Sequence, residues 1–210
     1  MLTIHHLGVS QSERIIWLCE ELGLPYTLRR YQRSAETRGA PAEYQALHPM
    51  GLAPVIEVDG ISLAETGAIM EYLVHRKGGG RLVPQVEDAA YPDWLFWYHF
   101  ANGTLMPSEM LVMVVQALGL AEPVRKAVGY RSDRGFALAD ARLAQVPWFT
   151  GDSFTTADIM MAFPLTTMRD FSHSSLDAYP HIRAWVDRIA QRPAYRRAMA
   201  AGDPDRAPIT

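Results

Sequence analysis

The sequence predicts a mixed α/β domain over residues 1–80, followed by an all-helical domain over residues 88–210. Three observations carry this division. Up to residue 76, short β-type runs alternate with helical periodicity. Gly78-Gly79-Gly80 then stops the last helix of that half and supplies a flexible joint. From Asp88 onward the spacing is helical throughout, with breaks expected near Pro107, Gly119, Pro123, 147–152, 172–180 and Pro193.

Each element has a local cause. Leu2 to Leu7 reads as a strand. From Ser12 the pattern changes, and Ile15, Ile16, Leu18, Cys19 and Leu22 recur at helical spacing until Gly23 and Pro25 end the helix. Residues 26–31 form a second strand carrying Arg29 and Arg30. Residues 32–50 are polar and loop-rich, with one helical turn around 42–46. Residues 54–58 and 61–63 make a hairpin about Asp59-Gly60, a pair that tolerates the positive φ angles of a tight turn. Residues 65–76 are a helix with Ile69, Tyr72 and Leu73 on one face. This β-α-β-(α)-β-β-α order is that of thioredoxin-like α/β layers. Residues 202–210 read as a loose tail.

Composition narrows the function classes. Of 210 residues, 49% are hydrophobic and 20% charged, which suits a soluble protein with a sizeable core. The net charge of −3 lacks the basic excess of a nucleic-acid binder. One cysteine, Cys19, excludes an internal disulfide and suits a reducing compartment. The first residues lack the pattern of a signal peptide. The longest uncharged apolar stretch, 110–121, is interrupted by Gln116 and too short to span a bilayer. A cytoplasmic protein with no membrane partner is the expectation.

Two polar helix starts stand out, Ser10-Gln11-Ser12 and Glu65-Thr66. Helix starts leave backbone N–H groups unpaired and carry partial positive charge, so they attract anions. Together they suggest one small anionic ligand held between them. Both also have a plainer role, because hydroxyl and acidic residues favour helix starts anyway.

Four features in order now bring a family into view. They are the serine after the first strand, the proline entering the third, the Glu65-Thr66 pair opening the third helix, and Thr155-Thr156-Ala157-Asp158 in the helical half. With the change of class after Gly80, the whole chain resembles the cytosolic glutathione transferases. The likeness is to serine-type bacterial and fungal members with the loop His48-Pro49-x-Gly51-x-x-Pro54-Val55. The resemblance implies the glutathione transferase fold, glutathione as co-substrate with no metal, and a homodimer active in detoxification. It implies that Pro54 is cis, so that the backbone of Ala53 pairs with a peptide-like ligand. Glu65 would hold the ammonium of the γ-glutamyl end, and Thr66 its carboxylate.

Ser10 is the expected catalytic hydroxyl. A free thiol has a pKa of about 8.5, and lowering it by two units needs about 2.7 kcal/mol of preference for the anion. A hydrogen bond to the charged sulfur supplies about 1.5–3 kcal/mol. The positive helix end adds up to about 1 kcal/mol. Ser10 would therefore donate to the thiolate without acting as a nucleophile, and no histidine partner is required. Ser12 is the alternative donor. Arg14 could orient or neutralise nearby groups, but in a first helical turn it is expected to be solvated or structural.

Absences sharpen the reading. No tyrosine precedes Tyr26, which disfavours tyrosine-type chemistry, and Cys19 lies on an apolar helix face as a small core residue. Leu52 departs from the pattern, since similar proteins often carry lysine or glutamine there against the glycyl end. Arg38 or His48 would have to replace that contact. The same departure motivates a rival reading, a non-catalytic transferase-like binding or regulatory protein.

The second substrate, a hydrophobic electrophile or organic peroxide, is expected between the domains, on Leu7, Val9, Trp97, Phe100, Met106, Met110 and Met113. His99 and Asn102 would reach that cleft or a partner subunit. The histidines at 5, 6, 48, 75, 173 and 181 lack metal-ligand spacing and are expected to be structural or exposed. Thr155 and Asp158 form a capping box for folding.

Overall fold

Every residue of β1 (Leu2–Leu7) except Thr3 is buried, the pattern of an interior strand. It pairs in parallel with β2 (Thr27–Tyr31) and antiparallel with β3 (Val55–Val58), and β3 pairs antiparallel with β4 (Ile61–Ala64). The order β2-β1-β3-β4 is a mixed thioredoxin-like sheet. Asp59 and Gly60 both take positive φ at the β3–β4 turn, as a tight hairpin requires.

The computed structural model of the chain describes residues 1–206; the remaining four positions of the expected tail lie outside the described residues. Its residues group into two units. The first comprises Met1–Arg81 together with the described residues from Ala190 on, and the second is Leu82–Ile189.

In the first unit, α1 (Glu13–Leu22) packs between α3 (Thr66–Arg76) and α10 (Pro193–Gly202). Ile15, Ile16, Leu18 and Cys19 are fully buried with Ile4, Ile56, Ile69 and Leu73. Burial, with Glu20 beside it, pushes the Cys19 thiol up to about 12, so it is an inert core group. Trp17 meets Tyr195 of α10 edge-on at 4.8 Å, and Glu21 and Glu20 pair with Arg192 and Arg197. The short helix α2 (Ala42–Gln45) buries Tyr44 against Leu7 and Val55, and its hydroxyl donates to the His5 carbonyl at 3.2 Å.

The second unit is helical. Its elements are α4 (Tyr91–Phe100), α5 (Met106–Ala117), α6 (Glu122–Leu143), α7 (Thr156–Leu165), α8 (Arg169–Ser172) and α9 (Pro180–Ala190), whose last residue falls in the first unit. One expected break is absent. Near Pro107 the chain runs from α4 through a π-helical turn, Ala101–Leu105, straight into α5. Proline has no N–H to return to the preceding turn, and the altered bonding of the π turn lies where that donor was needed. The capping box at Thr155 and Asp158 is present. No described helix is long and apolar enough to cross a membrane.

Candidate functional site

After β1 the chain turns through Gly8 and Val9. Val9 takes φ of 51°, an unusual backbone for a β-branched residue. Two side chains hold it there. The Val9 N–H donates to both oxygens of Asp203, at 3.1 and 3.3 Å, just beyond the end of α10. Arg33 donates to the carbonyls of Gly8 and Val9 at 2.9 and 3.0 Å. The expected loose tail is thus ordered at Asp203, because the β1–α1 turn needs its carboxylate.

This turn delivers Ser10 to the start of α1. Its Oγ lies 2.7 Å from Ser12 Oγ and accepts the Ser12 N–H at 3.3 Å. Ser12 Oγ lies 2.8 Å from His6 Nδ1, and His6 Nε2 lies 3.1 Å from Asp203 Oδ2. Ser12 caps no helix N–H with its side chain; its hydroxyl is held between Ser10 and His6. Ser12 and His6 are fully buried, whereas Ser10 retains 5% exposure. Burial acts to raise the Asp203 pKa, but the His6 hydrogen bond, the Val9 N–H and Arg206 outweigh it and hold the group below its ordinary value. Nothing in the spacing of His6 advertised this role, and Asp203 lies 197 residues away.

At the second helix start, Glu65 occupies the N-cap with φ of 74°, and its side chain is exposed. Thr66 is buried; its hydroxyl donates to Gln11 Oε1 at 3.2 Å and accepts from Arg14 Nη2 at 3.2 Å. Arg14 also donates to Gln11 and is fully buried. Of the two roles expected of Arg14, the structure shows the structural one: acceptors on both helix starts draw its guanidinium inward. Gln11, Arg14 and Thr66 tie α1 to α3 beside Ser10.

The peptide bond between Ala53 and Pro54 is cis, at the entrance of an interior strand. The other candidates stand apart. Arg38 is exposed in the 34–39 turn, where its carbonyl accepts from Arg33, and His48 Nδ1 accepts the Met50 N–H at 3.2 Å. Among the described residues, neither side chain is hydrogen-bonded to Ser10, Ser12 or Thr66. Leu52 is 61% exposed.

Of the residues expected to meet a second substrate, Leu7, Trp97 and Met106 are buried core groups. Met113 packs on the Met106–Phe163–Met168 cluster, while Val9 and Phe100 are half-buried. Met110 and His99 are exposed. A separate open cleft of about 680 Å³ in the second unit is lined by Leu82, Asp93, Arg142 and Phe154, and contains none of the expected site residues. Among the described residues no three histidine, cysteine or carboxylate groups converge as a metal site would require.

Comparison with known proteins agrees with the layout. Residues 10–76 match the model of the glutathione S-transferase N-terminal domain, and residues 110–193 that of the glutathione S-transferase C-terminal domain. Glutathione S-transferase 3 of Schizosaccharomyces pombe is 36% identical, over 94% of this chain and 86% of its own length. A crystal structure of a glutathione S-transferase from Actinobacillus pleuropneumoniae superposes with a TM-score of 0.89 at 30% identity, covering 97% of this chain and 93% of that one. A glutathione transferase family member from Pseudomonas fluorescens, solved with two glutathione molecules bound, shares the fold with a TM-score of 0.78 at 24% identity, covering 94% and 92%.

Proposed function

This chain belongs to the glutathione S-transferase family, and from that premise we propose how its residues carry the reaction. It is a glutathione transferase with glutathione as co-substrate. Ser10 hydrogen-bonds the sulfur of bound glutathione and keeps it ionised for attack on a hydrophobic electrophile or an organic peroxide. The observation that carries this reading is the position of Ser10. It opens the approach to α1 on a turn fixed by Asp203 and Arg33, and the residue keeps 5% exposure where Ser12 has none.

Glu65 and Thr66 receive the γ-glutamyl end, and the backbone of Ala53 before the cis-proline pairs with the peptide. The left-handed φ of Glu65 supports that role, since such strain persists where a ligand-binding geometry is held by its surroundings. Arg38 and His48 remain the candidates for the glycyl end. With Leu52 in place of a polar residue, binding of that end is weak.

Phe96, Met110, Leu111 and Val114, exposed on α4 and α5, support a homodimer interface or the electrophile site. The enzyme acts in the cytoplasm, in detoxification.

Turnover of a chlorinated nitrobenzene with glutathione tests the assignment. In Ser10→Ala, kcat/KM at neutral pH falls about tenfold or more, because the thiol returns towards its ordinary pKa of about 8.5. Equal rates would remove Ser10 from its role. Calorimetry with millimolar glutathione tests binding separately, and sedimentation tests the dimer.

A further inference from the structure

The hydroxyl proposed to hold the thiolate is the end of a buried chain, Ser10–Ser12–His6–Asp203, with links of 2.7, 2.8 and 3.1 Å. The donor directions along such a chain are coupled. An ionised carboxylate only accepts, so Asp203 requires a proton on His6 Nε2. In neutral His6 the other nitrogen, Nδ1, is then an acceptor, and Ser12 must donate to it. Ser12 Oγ in turn accepts from Ser10, so the Ser10 hydrogen points inward, away from any ligand. In that state Ser10 can receive a thiol S–H but cannot donate to a thiolate.

We propose that this chain is a proton relay, resting on the assignment of Ser10 above, in which His6 takes up the proton of the glutathione thiol and thereby turns Ser10 into a donor. The thiol gives its proton to Ser10 Oγ, Ser10 passes its own to Ser12 Oγ, and Ser12 passes its own to His6 Nδ1. One S–H bond breaks and one N–H bond forms, while the two hydroxyls exchange hydrogens; no electrons are transferred and the net charge is unchanged. Afterwards the links from His6 to the sulfur run the other way, while His6 Nε2 still donates to Asp203. His6 donates to Ser12, Ser12 to Ser10, and Ser10 to the sulfur anion. The imidazolium faces Asp203, which is ionised with Arg206 and Arg33 acting on it.

The packing around the relay fits a built device. A Cβ on Gly202 would stand 3.2 Å from His6 Nε2 and 3.1 Å from Ile16, so a glycine lets α10 close over the imidazole. A Ser12–His6–Asp203 nucleophilic triad is excluded by the full burial of Ser12. Ser12, His6 and Asp203 are positioning and proton-accepting residues acting through Ser10.

The deciding experiment follows the histidine itself. Wild-type protein with isotope-labelled imidazoles is titrated with reduced glutathione and, in parallel, with S-methylglutathione, which has no thiol proton. The His6 signal is assigned by its loss in His6→Gln. The expected result is conversion of His6 from the neutral Nε2–H tautomer to imidazolium with glutathione alone, in step with the ultraviolet absorbance of the thiolate.

A thiolate that forms while His6 stays neutral overturns the relay and leaves Ser10 in its role. Binding of neither compound overturns both. The kinetic arm uses Ser12→Ala. The relay predicts kcat/KM lower by about tenfold or more at neutral pH, with the deficit closing as pH approaches the ordinary thiol value near 8.5. An unchanged or improved Ser12→Ala enzyme would instead mean that Ser10 donates unaided. Ser12→Thr, which keeps a hydroxyl, is expected to retain most of the activity.

Discussion

Asp203 in the first unit and Asp158 in the second are both carboxylates that gather hydrogen bonds, yet their acidities move in opposite directions. Asp158 is fully enclosed. It accepts from the Phe149 N–H at 3.1 Å, the Trp185 indole N–H at 3.1 Å and the Thr155 N–H at 3.0 Å. All of these donors are neutral. Burial therefore dominates and pushes its pKa up to about 6, against the pull of the hydrogen bonds. Asp203 has fewer N–H donors but faces a histidine, with Arg206 contributing, and it lies below its ordinary value despite partial burial. Hydrogen bonds pull both carboxylates down; the direction that results depends on how much desolvation they must offset, which is complete at Asp158 and partial at Asp203.

The largest effect that would break this comparison is Asp158→Ala. It leaves three buried N–H donors without an acceptor, at about 1–3 kcal/mol each, so a loss on the order of 4 kcal/mol or more is expected in urea unfolding of the full chain. A loss under 1 kcal/mol would mean that the hub around α7 relaxes into other bonds.

The pH dependence comes next. Because the folded pKa of Asp158, about 6, exceeds its ordinary 3.8, its contribution is full below about pH 4 and is lost as pH rises through 6. That amounts to about 3 kcal/mol for a shift of two units or so. Stability of Asp158→Asn relative to wild type should therefore improve between pH 4 and 7. Asp203 has the opposite sign: its contribution is present above the ordinary carboxylate pKa and is lost as the solution is acidified through the lowered one. Asp203→Asn should remove that acid-side loss.

Asp203→Ala is expected to cost about 2 kcal/mol, from the stranded Val9 N–H and His6. It should also lower transferase activity more than Asp203→Asn, which still offers an oxygen to the Val9 turn. The smallest expected effect is Thr155→Ala. Loss of its cap on α7 should cost about 1 kcal/mol in unfolding while leaving kcat/KM for glutathione unchanged.

Much of the fold was legible because its signals are local. The hairpin turn is written in Asp59-Gly60, the end of α1 in Gly23, and the α7 start in a capping box spanning four residues. The candidate site was legible in part for the same reason, since Ser10, Ala53-Pro54 and Glu65-Thr66 each belong to a short motif. Pro107 misled, because a proline's effect depends on the bonding of the turn before it. Arg14 stayed open between a solvated and a structural role, because nothing within its own helix shows that Gln11 and Thr66 will take up its guanidinium.

By itself, then, the sequence determined the elements and their order and singled out Ser10 as a candidate, because these follow from contacts between residues a few positions apart. Only the tertiary structure decided that His6 and Asp203 stand behind that residue. Strand alternation puts a histidine side chain on one face of β1 without saying what covers that face. The carboxylate that covers it lies 197 residues further along, brought there when α10 packs on α1. A pairing of that range leaves no periodic trace in the chain. It arises from the burial of an apolar helix face, which carries the polar group at its end into place.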